Sequence, residues 1–149
     1  MIDTLQGVAA DVARELAKKF PEMVITSARR TISDQARVMA QNEVRERRWV
    51  ERTYSATRPA QECAAWSAQH PKATQDELFL AFSRIIAAFS PEELRKLSRH
   101  LTGEAFDVKP VSGERGEELL HALKDWAVQK QGKFLDREGG LVVWHWQAH

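Results

Sequence analysis

This chain of 149 residues has a single cysteine and almost no net charge. A lone cysteine, Cys63, cannot form an intramolecular disulfide, which fits a protein made in a reducing compartment. Its 22 basic and 21 acidic residues leave a formal net charge of only +1. Since such a balance gives no global field to hold a polyanion, we expect no nucleic-acid partner.

The length indicates one compact domain, which we take to span residues 1–149, with a helical insertion at about 40–95. An apolar repeat at helical spacing predicts a first helix over about 4–19, with Asp3 and Thr4 as candidate N-caps. The segment Met23–Ser27 predicts a central strand. Three or four helices are expected over 33–98.

Capping patterns mark two of these helix starts, at Thr74 with Glu77 and at Ser90 with Glu93. After them we expect a strand over 104–111, a helix over about 114–130, and a closing hairpin. Its strands would be 133–138 and 141–147, joined by Gly139-Gly140 as a two-residue turn. The fold class is therefore α+β: a small, mainly antiparallel sheet with helices packed on it.

The strongest chemical signal is a histidine, an aspartate and a second histidine in separate predicted elements. His100 and Asp107 lie in the stretch SRHLTGEAFD, and His145 lies between two tryptophans. Three such side chains suit Zn²⁺ and leave a fourth position open for water, as a catalytic site requires.

These residues resemble a known motif. Ser98, His100, Gly103, Ala105 and Asp107, followed by a late Trp-His pair, resemble the zinc peptidases of the D-Ala-D-Ala carboxypeptidase family. Relatives of that family include phage L-alanoyl-D-glutamate endopeptidases and the hedgehog signalling domain. The segment 27–35, SARRTISDQ, is similar to the family's SGYRSxxxQ block, with substitutions at 28, 29 and 31.

The resemblance implies a hedgehog-like fold, a Zn²⁺ cofactor held by His100, Asp107 and His145, and hydrolysis of peptide bonds in peptidoglycan stem peptides. Arg30 would bind the substrate carboxylate or the polarised carbonyl oxygen. Gln35 and Ser98 occupy motif positions, and Ser98 could hold a ligand in place. The implied partner is the stem peptide, and we expect the protein to be a monomer.

Trp144 and Trp146 either line a substrate groove or pack in the core or at its rim. In many family members a catalytic glutamate lies three residues before the second histidine, where this chain has Val142. Glu138 is the leading substitute as general base, and Asp136 is the second. Simple ladder spacing puts Asp136 nearer the metal, but a bulge at the glycines would reverse that.

Two other interpretations remain open. The first is a zinc-binding module of the same fold that binds cell wall or protein without cleaving it. The second is a helical interaction domain that uses 33–98 as its working surface. The first twenty residues lack the apolar region of a secretory signal, and no run could span a bilayer. We expect a protein made in the bacterial cytoplasm, without membrane insertion, and released to the cell wall during phage lysis.

Overall fold

The computed structural model describes residues 1–54, 56–138 and 140–149. As predicted, the fold is α+β, and the described residues form seven α-helices and one four-stranded antiparallel sheet. The chain divides into two compact units, the first made of 1–29 and 102–149 and the second of 30–101. The interpretation of the middle segment as an insertion within a single domain stays a prediction.

The first unit contains the sheet and two helices. Its elements are α1 (Gly7–Lys19), β1 (Ile25–Ser27), β2 (Ala105–Val108), α7 (Gly113–Gln129), β3 (Lys133–Glu138) and β4 (Leu141–Gln147). The sheet order is β1-β2-β4-β3, and every neighbouring pair is antiparallel. The two hairpin strands have the bounds predicted from the sequence; Gly139 of the proposed turn lies outside the described residues.

Alternation along β2 and β4 separates a core face from a polar face. Phe106 and Val108 point into the core with Trp144 and Trp146, where they meet the apolar faces of α1 and α7. Because successive strand residues point to opposite sides, the residues between them face the other way. That second face carries Asp107 and His145.

The second unit is helical. Its elements are α2 (Ile32–Arg45), α3 (Trp49–Thr53), α4 (Arg58–Gln69), α5 (Gln75–Ala87) and α6 (Pro91–Leu97). Both predicted capping boxes are present, at Thr74 with Glu77 and at Ser90 with Glu93. Apolar side chains from all five helices, among them Met39, Val50 and Phe82, form its own core.

Three details differ from the sequence predictions. The first α-helix begins at Gly7 rather than near residue 4, because Ile2–Thr4 forms a separate 3-10 turn in which the Thr4 hydroxyl donates to the Met1 carbonyl at 2.7 Å. The strand β1 lies at an edge of the sheet and not at its centre. The middle segment has five helices rather than three or four within its described residues, because the short α3 follows α2 after a break at Arg48.

Among the described residues, no helix is both long enough and apolar enough to cross a membrane.

Candidate metal centre

Two neighbouring strands bring Asp107 and His145 together. The residues are register partners on β2 and β4, and both are buried. Asp107 Oδ1 lies 2.8 Å from His145 Nδ1. A slip of one residue in this register would exchange the core and polar faces, so the packing of Phe106 and Trp146 also fixes this pair.

Glu138 adds a second carboxylate to the same ring nitrogen. Its Oε2 lies 3.3 Å from His145 Nδ1, and its side chain keeps 29% of its surface exposed, against 6% for Asp107. One carboxylate is therefore enclosed by protein, whereas solvent reaches the other. This difference separates a residue suited to hold an ion from one that can also exchange protons with water.

His100 lies on the 3-10 turn Arg99–Thr102, which leads into β2, and its side chain is buried. Two hydrogen bonds hold its backbone: its N–H donates to Ser98 Oγ at 3.3 Å, and its carbonyl accepts from the Arg30 N–H at 2.8 Å. His100 thus precedes a strand and Asp107 lies on that strand, as the predicted strand over 104–111 implied, and His145 lies on the neighbouring strand.

These side chains form a group that could hold a metal ion. His100, Asp107, Glu138 and His145 each offer one ligand atom, and these atoms all lie within 4.8 Å of one another. The ligand atoms of one tetrahedral ion with bonds of about 2.1 Å are about 3.4 Å apart, so small side-chain adjustments suffice. Two imidazoles and two carboxylates are also a donor set that divalent transition metals accept.

The charge state of His145 reflects this environment. Burial lowers the pKa of the imidazole. The hydrogen bond with Asp107 and the negative charge of Glu138 raise it, and smaller contributions in the same direction come from the charge of Asp107 and the hydrogen bond with Gln147. The pKa of His145 is therefore raised above its ordinary value. The carboxylates favour a positive charge at this point, whether it comes from a proton or from a metal ion.

The two candidate bases differ in position. Glu138 pairs with Leu141 next to the turn, but the ladder is irregular between Leu135 and Arg137, and beyond it Leu135 pairs with His145. This irregularity breaks the regular spacing that would have set Asp136 opposite Val143. Asp136 is exposed and does not belong to the ligand group, whereas Glu138 does.

Arg30 and Gln35 begin a polar chain in the helical unit. The Arg30 guanidinium donates to Gln35 Oε1 at 3.3 Å, and Gln35 Nε2 donates to the Tyr54 hydroxyl at 2.9 Å. Gln35 is fully buried although it is polar. Nothing in the sequence motif pointed to Tyr54.

Trp146 lies in the core rather than at a substrate groove. It is fully buried and stacks on Phe106 with ring centroids 5.7 Å apart, so it offers no surface to a substrate. Trp144 is buried in the same core. The residue next along the polar face, Gln147, instead accepts a hydrogen bond from the His145 ring through its Oε1 at 2.9 Å. Sequence reasoning missed it, although its i+2 spacing from His145 places it on the same face.

No family model matches this chain, and neither the curated proteins nor the solved structures contain a match to it.

Proposed function

We propose that this protein is a zinc-dependent peptidase that hydrolyses peptide bonds in the stem peptides of bacterial peptidoglycan. The observation that carries the proposal is the group of His100, Asp107, Glu138 and His145, whose ligand atoms lie within 4.8 Å of one another. The order of these residues along the chain matches the motif that the sequence resembles. The substrate class rests on that resemblance alone.

Zinc suits the donors better than magnesium or calcium, which prefer sites made entirely of oxygen ligands. The two imidazoles favour a borderline metal, and the buried Asp107 supplies negative charge to offset that of the ion. A bound zinc ion supplies Lewis acidity, which polarises a carbonyl group and makes a nearby water a stronger acid.

Glu138 is the proton carrier in the proposed reaction. Its carboxylate accepts a proton from the attacking water and returns it to the departing amine, which must leave as a neutral group. The partial exposure of Glu138 allows water to reach it, whereas Asp107 is enclosed. Glu138 therefore takes the role that family members give to a glutamate at the position of Val142.

Arg30 binds the substrate in this proposal. A guanidinium presents a planar fork of donors that matches a carboxylate or a polarised carbonyl oxygen. Gln35 and Tyr54 restrict its orientation through the hydrogen bonds from Arg30 to Gln35 and from Gln35 to Tyr54. Ser98 acts on a ligand indirectly, because its hydroxyl accepts from the His100 N–H.

The test is digestion of purified peptidoglycan and of synthetic stem peptides, with products identified by mass spectrometry. Zinc-loaded protein is compared with chelator-treated protein and with the His145→Ala variant. His121→Ala is the matched control, since His121 is an exposed histidine on α7. Zinc-dependent release of D-alanine or of a cut stem peptide, lost in His145→Ala and kept in His121→Ala, is the expected result. A folded protein that binds zinc and cleaves none of these substrates contradicts the peptidase.

One observation favours a second candidate, a zinc-binding module without catalysis. Four protein side chains offer ligand atoms in the group, and a zinc ion with four protein ligands is typically structural, because no position is left for water. In that case Glu138 is a ligand and not a base. Zinc affinity of the Glu138→Gln variant separates the two candidates, because only the loss of a ligand weakens binding strongly.

A further inference from the structure

The face of β4 that carries His145 continues to Gln147. Residues two apart on a strand project from the same side, so the Gln147 side chain lies beside the His145 ring. Its Oε1 is 2.9 Å from His145 Nε2, while the opposite ring nitrogen, Nδ1, faces Asp107 at 2.8 Å and Glu138 at 3.3 Å. The two nitrogens of one imidazole thus have partners of different kinds.

The chemistry of these partners fixes the orientation of the ring. An amide oxygen only accepts hydrogen bonds, so the nitrogen that faces Gln147 has to carry a hydrogen. A neutral imidazole has one protonated nitrogen, and its other nitrogen then offers a lone pair. With the hydrogen on Nε2, the lone pair of a neutral His145 would be on Nδ1, which faces the other ligand atoms. Without a metal, the Asp107 carboxylate at 2.8 Å favours a second hydrogen on Nδ1, because a carboxylate also only accepts, and a bound metal would take the place of that hydrogen.

The backbone holds Gln147 firmly in place. The residue ends β4, where it pairs with Ala105 of β2 on one side and with Lys133 of β3 on the other. Just beyond it, the Ala148 N–H donates to the Glu104 carbonyl at 2.9 Å. The amide therefore extends from a strand that is paired on both sides, which limits its movement relative to the ring.

We propose that Gln147 is a positioning residue that holds His145 with its Nδ1 directed at the metal. This inference rests on the proposed metal site, but it assigns a function to a residue outside both motifs. Outer-shell partners that orient a metal-bound histidine typically contribute about 10–100-fold to metal affinity. Gln147 acts through His145 and touches neither metal nor substrate.

The test compares wild-type protein with Gln147→Leu, which removes the acceptor at similar size, and Gln147→Glu, which keeps one. Gln129→Leu is the matched control, because Gln129 is exposed at the end of α7. Zinc dissociation constants are measured by competition with a chelating indicator. We expect Gln147→Leu to weaken binding by about 10–100-fold. Gln147→Glu should bind zinc at least as tightly as wild type, because it keeps an acceptor and adds negative charge, and Gln129→Leu should bind as wild type does.

A second measurement does not depend on metal binding. Proton–nitrogen NMR of the metal-free protein should show an exchange-protected hydrogen on His145 Nε2 in wild type and Gln147→Glu, and not in Gln147→Leu. Zinc binding and a protected Nε2 hydrogen that both survive in Gln147→Leu would overturn the inference. Wild-type protein that shows the protected hydrogen but binds no zinc contradicts the metal site while leaving the role of Gln147 in orienting the ring supported.

Discussion

Asp107 and His145 face each other across β2 and β4, and 2.8 Å separates Asp107 Oδ1 from His145 Nδ1. The pair is buried, with 6% of the Asp107 side chain and 4% of the His145 side chain exposed. A buried carboxylate can stay charged only where hydrogen-bonding or charged partners offset the loss of water, and His145 is such a partner. Negative charge on Asp107 would therefore help to hold any cation that the site binds.

Replacing Asp107 with asparagine tests that role. The amide keeps the size of the side chain but removes its charge and one anionic ligand. We expect the zinc dissociation constant to rise by more than the roughly 10–100-fold typical of losing an outer-shell partner. Competition with a chelating indicator measures it. The matched control is Asp125→Asn, an exposed aspartate on α7 that should bind zinc as wild type does. Equal affinity in the two variants would remove Asp107 from the ligand set.

Glu138→Gln tests the proposed base, with Asp136→Asn on the same strand as its control. If Glu138 carries the proton, kcat on a synthetic stem peptide should fall by about 10²–10⁴-fold, which is the usual contribution of general acid–base catalysis. Zinc affinity should change far less. Asp136→Asn should keep full activity, because Asp136 is exposed and outside the ligand group. A greater loss of activity in Asp136→Asn than in Glu138→Gln would reverse the assignment.

Cys63 should be unreactive in the folded protein. Burial raises the pKa of its thiol from 9.0 to about 12, with smaller contributions from Glu62 and Glu43. At pH 8 only about one molecule in 10⁴ then carries the reactive thiolate. A disulfide reagent such as DTNB should label the native protein very slowly and the urea-denatured protein at once. Ala65→Cys, at an exposed position on the same helix, should provide the fast control.

The same thiol gives stability a defined pH dependence. The unfolded thiol loses its proton near pH 9, whereas the folded thiol keeps it to about pH 12. Its contribution to the free energy of unfolding is thus fully present below pH 9 and declines between pH 9 and about 12. Urea unfolding of wild type and Cys63→Ala across this range measures it: the stability difference between them should narrow as pH rises. A constant difference would show that the thiol does not titrate differently on folding.

Glu43 should be important for the stability of the helical unit. Its buried carboxylate accepts from the N–H groups of Arg48 and Val50, at 3.1 and 3.0 Å, and from the Ser67 hydroxyl at 2.6 Å. Two of these donors are backbone groups at the start of α3, which has no side-chain cap of its own. Glu43→Gln leaves at least one donor without an acceptor, at a cost of about 1–3 kcal/mol.

Urea unfolding measures that cost, and the exposed Glu62→Gln on α4 is the control. Surface substitutions of this kind usually stay within about 0.5 kcal/mol of wild type. Equal unfolding midpoints for the two variants would show that the Glu43 hydrogen bonds are replaced by water without loss.

The sequence predicted the elements whose signals are local. The bounds of β3 and β4 follow from alternation around a glycine pair, and the boxes at Thr74 and Ser90 follow from side chains three residues apart. The sequence did not predict features that depend on contacts between residues far apart in the chain. The structure places Glu138, and not Asp136, in the group with His145, and the ladder between Leu135 and Arg137 is irregular in a way that no local pattern marks.

Gln147 illustrates a different limit. Its spacing from His145 was visible in the sequence, but the strand positions alone do not say which ring nitrogen it meets. The sequence left open whether Trp146 lines a groove or packs in the core. Its burial and its stacking on Phe106 place it in the core. Gln147 was thus missed although its partner His145 is only two residues away, whereas Trp146 was left open because its partner Phe106 lies on another strand.

The alternation on β2 and β4 divides the sequence by parity. Odd-numbered positions 105, 107, 145 and 147 belong to the polar face, and even-numbered positions 106, 108, 144 and 146 belong to the core. An engineer could randomise the odd positions to seek selectivity for cobalt or copper while every even position stays constant. Substitutions at the odd positions would therefore change the side chains that could hold a metal ion and leave the core side chains as they are.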